Sequence, residues 1–223
     1  MSQDTAWLGE PPEWRTEGSM LHVRTEARTD FWCRTLQDQM NTGDFATLGL
    51  DPGEYVVDSG HFYFDMVAGD FSVTVKVSGE FSDQYDQAGL FIRHDSREWL
   101  KVGIELVDGK WADRYPYRGT ALLVGATVTR GGWSDWSVLP QFDHNPPAVW
   151  FRVTRQGRTG YVDFSLDGEE YRLMRVLSFP DVAELKVGRY ASSPTGEGFI
   201  ALFDEYLLLQ TDRHGSQSST PTV

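Results

Sequence analysis

Lys101 and Glu105 are the residues of this sequence whose types and spacing most readily suggest chemistry. They lie four positions apart in the segment EWLKVGIEL (98–106), in which apolar residues occupy every second position. Side chains alternate between the two faces of a strand, so Lys101 and Glu105 are predicted to share a polar face. An ammonium and a carboxylate placed in this way can bind a polar ligand. If the protein is an enzyme, Glu105 can act as the general acid or base and Lys101 can stabilise negative charge.

The preceding segment, YDQAGLFIR (85–93), has the same alternation and is predicted to pair with 98–106 as a hairpin. Gln87 and Arg93 then lie on the same polar face as Lys101 and Glu105. This face is either the ordinary solvated face of an antiparallel sheet or a recognition surface, and alternation does not distinguish the two.

Glu105 has no carboxylate partner on its own strand, because its same-face neighbours are a glycine, a valine and Lys101. Glycoside hydrolases need two carboxyl groups about 5 Å apart or somewhat more. Asp108 and Asp163 are possible partners only if the unknown strand order brings them close. The simplest interpretation of Lys101 and Glu105 is an ion pair that binds a ligand or stabilises the fold, and glycosidase chemistry is disfavoured.

Residues with other chemistries show no recognisable spacing. The five histidines form no short-range ligand pair, and there is no Gly-x-Ser-x-Gly elbow or phosphate-binding glycine loop. The single cysteine, Cys33, excludes an intrachain disulfide and is predicted to be a small buried apolar residue. We expect neither a metal nor a cofactor.

Composition excludes several classes of protein. The net charge of −13 disfavours nucleic-acid binding, because phosphate backbones are repelled. No stretch approaches 18 apolar residues, and the N-terminal segment does not resemble a signal peptide, so a cytoplasmic protein without a membrane span is expected. Residues 210–223 are polar and low in complexity, which predicts a disordered tail.

The rest of the chain predicts an all-β domain over residues 1–209. Helical periodicity is absent, and short alternating segments recur with turn residues between them, including Asp167-Gly168. Two segments, 38–60 and 110–119, break this rhythm and are predicted to be long loops. Besides the 85–106 hairpin, the predicted strands are 20–25, 61–66, 71–77, 122–130, 149–155, 160–166, 170–177, 184–191 and 198–209.

Aromatic residues mark two further candidate contacts. Trp133 and Trp136 flank Ser-Asp beside a Gly-Gly pair, which indicates either an aromatic platform for a planar or sugar ligand or a core tryptophan beside a turn. Trp150 and Arg152 alternate with core-type residues and are predicted to face outward. We expect both of them on the polar face that carries Lys101.

Ordered sequence blocks across the chain resemble one known family. They include TDFW (29–32), GDFSVTVKVSGEF (69–81), YDQAGLFIR, EWLKVGIEL and VGRYASSPTGEGF (187–199). Their order is similar to that of the domain-of-unknown-function family that includes the regulation-of-enolase proteins. The resemblance implies a concanavalin A-like jelly-roll sandwich of the lectin/glucanase superfamily, with two antiparallel sheets, one of them concave. It implies no established activity.

The chain departs from the family pattern in the two long loops, 38–60 and 110–119, which are expected to enclose a pocket on the concave face. The leading hypothesis is therefore a protein that binds a carbohydrate or a similar small polar or anionic molecule there. One alternative is a small-metabolite enzyme of isomerase, lyase or hydrolase type, using Glu105 with Lys101 and Arg152. The other alternative is a regulatory protein that binds a metabolic enzyme.

Overall fold

The computed structural model describes residues 5–35, 56–107, 120–140 and 142–211. Within these ranges the chain forms strands and no α-helix, as the absence of helical periodicity predicts. The strands are β1 (Ala6–Leu8), β2 (Glu13–Glu17), β3 (Met20–Arg24), β4 (Phe31–Cys33), β5 (Val56–Asp58), β6 (His61–Ala68), β7 (Asp70–Gly79), β8 (Gln87–Arg93), β9 (Trp99–Val107), β10 (Ala121–Arg130), β11 (Trp133–Val138), β12 (Val149–Gln156), β13 (Thr159–Ser165), β14 (Arg172–Ser178), β15 (Glu184–Ser192) and β16 (Ile200–Thr211).

Two seven-stranded sheets form a sandwich. The first sheet has the order β1-β6-β15-β8-β9-β10-β11, and the second has the order β14-β13-β12-β7-β16-β3-β2. Neighbouring strands in both sheets are antiparallel. The predicted all-β sandwich of two antiparallel sheets is confirmed.

The main core lies between the two sheets and follows directly from the alternation in the sequence. Leu90 on β8 and Val102 on β9 are fully buried from the first sheet, while Val75 on β7 and Phe151 on β12 are fully buried from the second. Burying one such side chain contributes roughly 1.5–3 kcal/mol. The alternate residues of these strands therefore point away from the core, so each sheet has one outward face.

A two-stranded ribbon, formed by β4 and β5, packs on the outward face of the first sheet. Beneath it lies a second apolar cluster, in which Phe31 and Cys33 of the ribbon meet Phe62, Phe91 and other aromatic residues of the sheet. The rings of Phe31 and Phe91 are 4.7 Å apart. We call this outward face of the first sheet the covered face, and the outward face of the second sheet the open face.

Several predicted boundaries are corrected. Part of the predicted 38–60 loop is ordered strand, because residues 56–58 form β5, which pairs with β4. Residues 36–55 and the 110–119 loop lie outside the described residues. So does the predicted tail, except for Gln210 and Thr211, which end β16. Five further strands were not predicted, because they are short or lack a regular alternation of apolar and polar residues: β1, β2, β4, β5 and β11.

The predicted turn at Asp167-Gly168 is present between β13 and β14. Gly168 has a φ of +82°, which a residue with a side chain rarely adopts. The backbone N–H groups of Glu169 and Glu170 each donate to the Asp167 carboxylate over 2.9 Å. The turn thus uses the two properties for which Asp-Gly is favoured in hairpins.

No helix among the described residues is long and apolar enough to cross a membrane.

Candidate functional site

The covered face brings together four of the residues predicted to bind a ligand. Gln87 lies directly opposite Glu105 across β8 and β9, and Arg93 lies on the same face six residues further along β8, opposite Trp99. Lys101 lies between them, opposite Phe91. The predicted hairpin of 85–106, with these four residues on one face, is therefore confirmed.

Lys101 is almost completely buried, with 4% of its surface exposed. Its ammonium donates to Gln87 Oε1 at 2.6 Å, to the Phe31 carbonyl at 2.9 Å and to Asp30 Oδ1 at 3.2 Å. An ammonium has three N–H donors, so these partners use them all. Gln87 is engaged as well, because its amide nitrogen donates to Asp30 at 3.3 Å and to the Tyr85 carbonyl at 3.2 Å.

Arg93 is bound in the same way at the other strand of the ribbon. Its guanidinium donates to both carboxylate oxygens of Asp58, over 2.5 and 2.7 Å. This bidentate geometry is the strongest form of an Arg–carboxylate contact. Arg93 and Lys101 therefore attach the ribbon to the covered face, Arg93 at Asp58 on β5 and Lys101 at Asp30 and Phe31, where β4 begins.

Glu105 differs from Gln87, Arg93 and Lys101 because its side chain keeps part of its surface accessible to solvent. Dense surrounding protein still desolvates the carboxylate, and this burial raises its pKa from 4.5 to about 7, against a smaller lowering by Lys101 and with a further increase from Asp30. On the face, Glu105 lies between Gln87 on β8 and Leu123 on β10. It is thus a carboxyl group that changes charge near neutral pH.

Tyr190 on β15 completes the surroundings of Glu105. It is opposite Gly89 on β8, and its ring extends over the sheet towards β9. A methyl group added at Gly103 would lie 3.0 Å from the Tyr190 hydroxyl and 2.2 Å from the Ala88 carbonyl, so only glycine fits there. Burial, followed by the charges of Glu105 and Asp30, raises the pKa of Tyr190 well above its ordinary value. Its hydroxyl stays protonated at neutral pH.

Aromatic rings surround the Lys101 ammonium. The Lys101 ammonium lies 5.8 Å from the centres of the Trp32 and Trp99 rings and 5.9 Å from that of Tyr190, within cation–π range. Trp99 is 5% exposed. Charged and aromatic groups together therefore hold Lys101 in place.

Cys33 lies at the end of β4 and is fully buried, as predicted. Its thiol donates to the Ser96 carbonyl over 3.4 Å. Burial, with a smaller contribution from Asp58, raises its pKa to about 11. The thiolate, which is the reactive form, is scarce at neutral pH.

The two tryptophans of β11 do not form a common platform, which corrects that prediction. Residues three positions apart on a strand point to opposite faces. Trp136 pairs with Thr127 in the row that contains Lys101, whereas Trp133 lies at the tip of the β10–β11 hairpin and is 51% exposed. The Arg34 guanidinium lies 5.9 Å from the centre of the Trp133 ring.

Trp150 and Arg152 lie on the open face, away from Lys101, which corrects the expected single polar face. They belong to β12, which pairs with β7 and β13 in the second sheet. Alternation correctly predicted that both point outward but carries no information about which sheet contains the strand. On the open face Arg152 pairs with Asp163 at 3.0 Å, and the Trp150 indole donates to Glu205 at 2.9 Å.

The sequence pattern did not indicate Asp30, Asp58 or Tyr190 as residues of this face. Each approaches the hairpin from a strand or segment distant in sequence, so no local pattern indicates it. The only available signal for Asp30 was its position before the aromatic pair Phe31-Trp32. Among the residues that the structure describes, no group of three histidine, cysteine or carboxylate side chains is close enough to bind a metal ion.

Comparison with known proteins adds the family to this geometry. Residues 7–210 match the family described as "Protein of unknown function (DUF1349)". "Regulation of enolase protein 1" of Saccharomyces cerevisiae is 31% identical over 208 residues, which cover 93% of this chain and 90% of that protein. An uncharacterised protein of Emericella nidulans is 29% identical over 132 residues, 56% of this chain and 60% of that protein.

Solved structures give the same result for the fold. A functionally unknown protein from Saccharomyces cerevisiae superposes with a TM-score of 0.76 and 28% identity, covering 93% of this chain and 96% of that one. A GH43 protein, BlXynB of Bacillus licheniformis, superposes with a TM-score of 0.60 and 14% identity over 93% of this chain but 37% of its own. That second likeness concerns the sandwich alone. By its match over nearly the whole sandwich, the chain belongs to the DUF1349 family of proteins of unknown function.

Proposed function

We propose that the protein binds a small uncharged polyhydroxyl molecule, of carbohydrate type, on the covered face beside Glu105. The observation that carries this proposal is that both cations of the covered face, Lys101 and Arg93, already bind groups of the protein. The three donors of Lys101 are already used by Asp30, Phe31 and Gln87. The bidentate fork of Arg93 is used by Asp58. A ligand carboxylate or phosphate would have to displace one of these buried contacts, which costs several kcal/mol.

Of the four predicted residues on this face, Glu105 is the one that is not fully buried, and its exposed part is accessible to a ligand. Its carboxyl group accepts hydrogen bonds from hydroxyl groups when ionised and donates one when protonated, and its pKa of about 7 keeps both forms populated at neutral pH. A polyhydroxyl ligand can satisfy either form. The sandwich of xylan β-1,4-xylosidase from Bacillus halodurans has a similar fold, with a TM-score of 0.55, which makes xylose-based sugars sensible first probes.

Titration calorimetry with xylobiose, glucose and glucuronate tests this proposal. We expect a neutral sugar to bind and glucuronate to bind at least about tenfold more weakly, the factor that corresponds to about 1.4 kcal/mol. Glu105→Ala should weaken the neutral sugar by about tenfold, because one or two hydrogen bonds are lost. Arg152→Ala, on the open face, is the matched control and should bind as the wild type does.

Two results would overturn the proposal. One is stronger binding of glucuronate than of the neutral sugars, which would require a free cation on the covered face. The other is an equal loss of sugar binding in Arg152→Ala and Glu105→Ala, which would mean that the sugar binds elsewhere or non-specifically.

A second candidate function is acid–base catalysis on a small metabolite, favoured by the pKa of Glu105. A general acid or base works best when its pKa is near the working pH, and the Glu105 pKa of about 7 meets that condition. Glu105→Gln separates the two functions, because the amide keeps the shape and hydrogen bonding but cannot transfer a proton. Retained sugar binding with lost turnover would support an enzyme, whereas full turnover in this variant would exclude Glu105 as the acid–base group.

A third candidate is regulation of a metabolic enzyme, as the name of the 31% identical yeast relative suggests. The net charge of −13 would favour a basic surface on the partner. Affinity capture at low salt should then recover one enzyme in stoichiometric amount, and about 0.5 M salt, where screening acts over a few ångströms, should release it. Recovery that does not change with salt would contradict an electrostatic complex.

A further inference from the structure

The open face carries an unusual number of exposed aliphatic side chains. Leu207 and Leu209 on β16 are 52% and 54% exposed, and Leu173 and Val176 on β14 are 59% and 55% exposed. All four lie on the outward side, since they pair with polar outward residues of the neighbouring strands. They form two pairs on strands four places apart in the sheet, one on each side of its centre. Single exposed apolar residues are ordinary, and we take the two pairs together as the apolar part of a candidate interaction surface.

The centre of the open face carries paired charges of opposite sign. Lys76 lies 3.6 Å from Glu205, and Arg152 lies 3.0 Å from Asp163. Both pairs are neutral as units, although the chain as a whole has a net charge of −13. A second copy of the chain is therefore repelled by most of the surface but meets little repulsion at this centre.

The size of the open face fits a stable contact between two copies. Seven strands spaced about 4.8 Å apart span roughly 30 Å, and eight residues of strand span about 27 Å. The product, about 800 Å², equals the area that each partner buries in a standard protein–protein interface. In the described part of the chain no third pair of strands lies on this face. The segment between β13 and β14 does reach it, with the Tyr171 ring 4.2 Å from the Arg152 guanidinium.

We propose that two copies of the chain associate through their open faces, sheet against sheet, about a two-fold axis. The exposed leucines and Val176 of each copy then bury against the other copy. The central charge pairs lie near their counterparts and can exchange partners across the interface. A two-fold contact uses the same patch on both copies, which suits a face with balanced charges.

Size-exclusion chromatography with light scattering on the full chain, at roughly 5 to 200 µM, tests the proposal over the affinity range of standard-size interfaces. The wild type should elute with twice the monomer mass at the upper concentrations. Added salt should strengthen the dimer, because it screens the repulsion between two acidic chains. The double variant Leu207→Glu/Leu209→Glu should weaken dimerisation by at least about a hundredfold, since two carboxylates per copy would be buried.

Met66→Glu is the matched control. Met66 is 48% exposed but lies on the first sheet, so this variant should dimerise as the wild type does. Thermal melting should show that both variants are folded, as expected for substitutions at exposed positions. A wild type that is monomeric over the whole range overturns the proposal, as does a dimer that survives the double leucine variant. An enzyme bound at the open face of an otherwise monomeric chain would equally overturn it.

Discussion

The two outward faces of this sandwich use the same kinds of residue in opposite ways. On the covered face, Lys101 and Arg93 are buried and bind carboxylates brought by the ribbon. On the open face, Lys76 and Arg152 form comparable pairs with Glu205 and Asp163, but their side chains are 32% and 36% exposed. The comparison predicts that burial, rather than the presence of an ion pair, decides how much each pair contributes to the stability of the fold.

The largest difference is expected for the two lysines. Lys101→Met removes the cation that pairs with the Asp30 carboxylate in this largely buried site. The change should lower the free energy of unfolding by about 3 to 5 kcal/mol. Lys76→Met removes an exposed partner of Glu205 and should cost less than about 1 kcal/mol. Urea denaturation of both variants measures the contrast. Equal losses would mean that the ribbon does not depend on Lys101.

The next contrast replaces one carboxylate on each face by its amide. Asp58→Asn removes the charge that neutralises buried Arg93 and should cost about 3 kcal/mol. Asp163→Asn leaves Arg152 able to interact with water and should cost less than about 1 kcal/mol. Thermal unfolding at pH 7 checks both values. If Asp163→Asn were the more damaging change, burial would not be the deciding property.

Glu105 gives a smaller effect with a distinctive pH dependence. Its pKa is about 7 in the folded protein and near 4.5 when unfolded, so folding favours the protonated form. The contribution of protonated Glu105 to the free energy of unfolding is therefore fully present below pH 4.5 and is lost as the pH rises to about 7. Glu105→Gln cannot ionise and should exceed the wild type by about 2 kcal/mol at pH 8, a value reduced for the partial exposure of the side chain.

Denaturation at pH 4 and pH 8 measures this difference. The two proteins should be equally stable at pH 4 and should separate at pH 8. A constant difference at both pH values would show that the substitution acts through packing rather than through ionisation of Glu105.

The smallest effect is expected for an aliphatic residue of the open face. Leu209→Ala, measured at concentrations where the chain is monomeric, should change the free energy of unfolding by less than about 0.5 kcal/mol. Phe91→Ala on the covered face is the counterpart, because Phe91 is fully buried beneath the ribbon and its removal should cost about 3 to 5 kcal/mol. A large loss in Leu209→Ala would mean that the open face is already packed within one chain.

The sequence predicted those parts of the site that depend on local pattern. Gln87, Arg93, Lys101 and Glu105 lie on one face because two adjacent strands with a short turn determine their own register. Trp150 and Arg152 were assigned to the wrong face, because strand order depends on pairings between segments far apart in the chain. The same limit hid Asp30 and Asp58, and with them the neutralisation of both cations. The expectation of an anionic ligand followed from that omission.

The side chain of Cys33, which points from the ribbon towards the sheet, provides a natural probe of ribbon opening. The thiol is fully buried and has a pKa of about 11, so a thiol-specific dye in solution meets it only when β4 separates from the sheet. The labelling rate at fixed pH then measures how often the ribbon lifts, without any introduced probe. Because this is the single cysteine of the sequence, the signal needs no correction for other thiols. A sugar that contacts both Glu105 and the ribbon would lower the labelling rate of Cys33. Measuring this rate therefore screens for ligands without knowledge of any reaction.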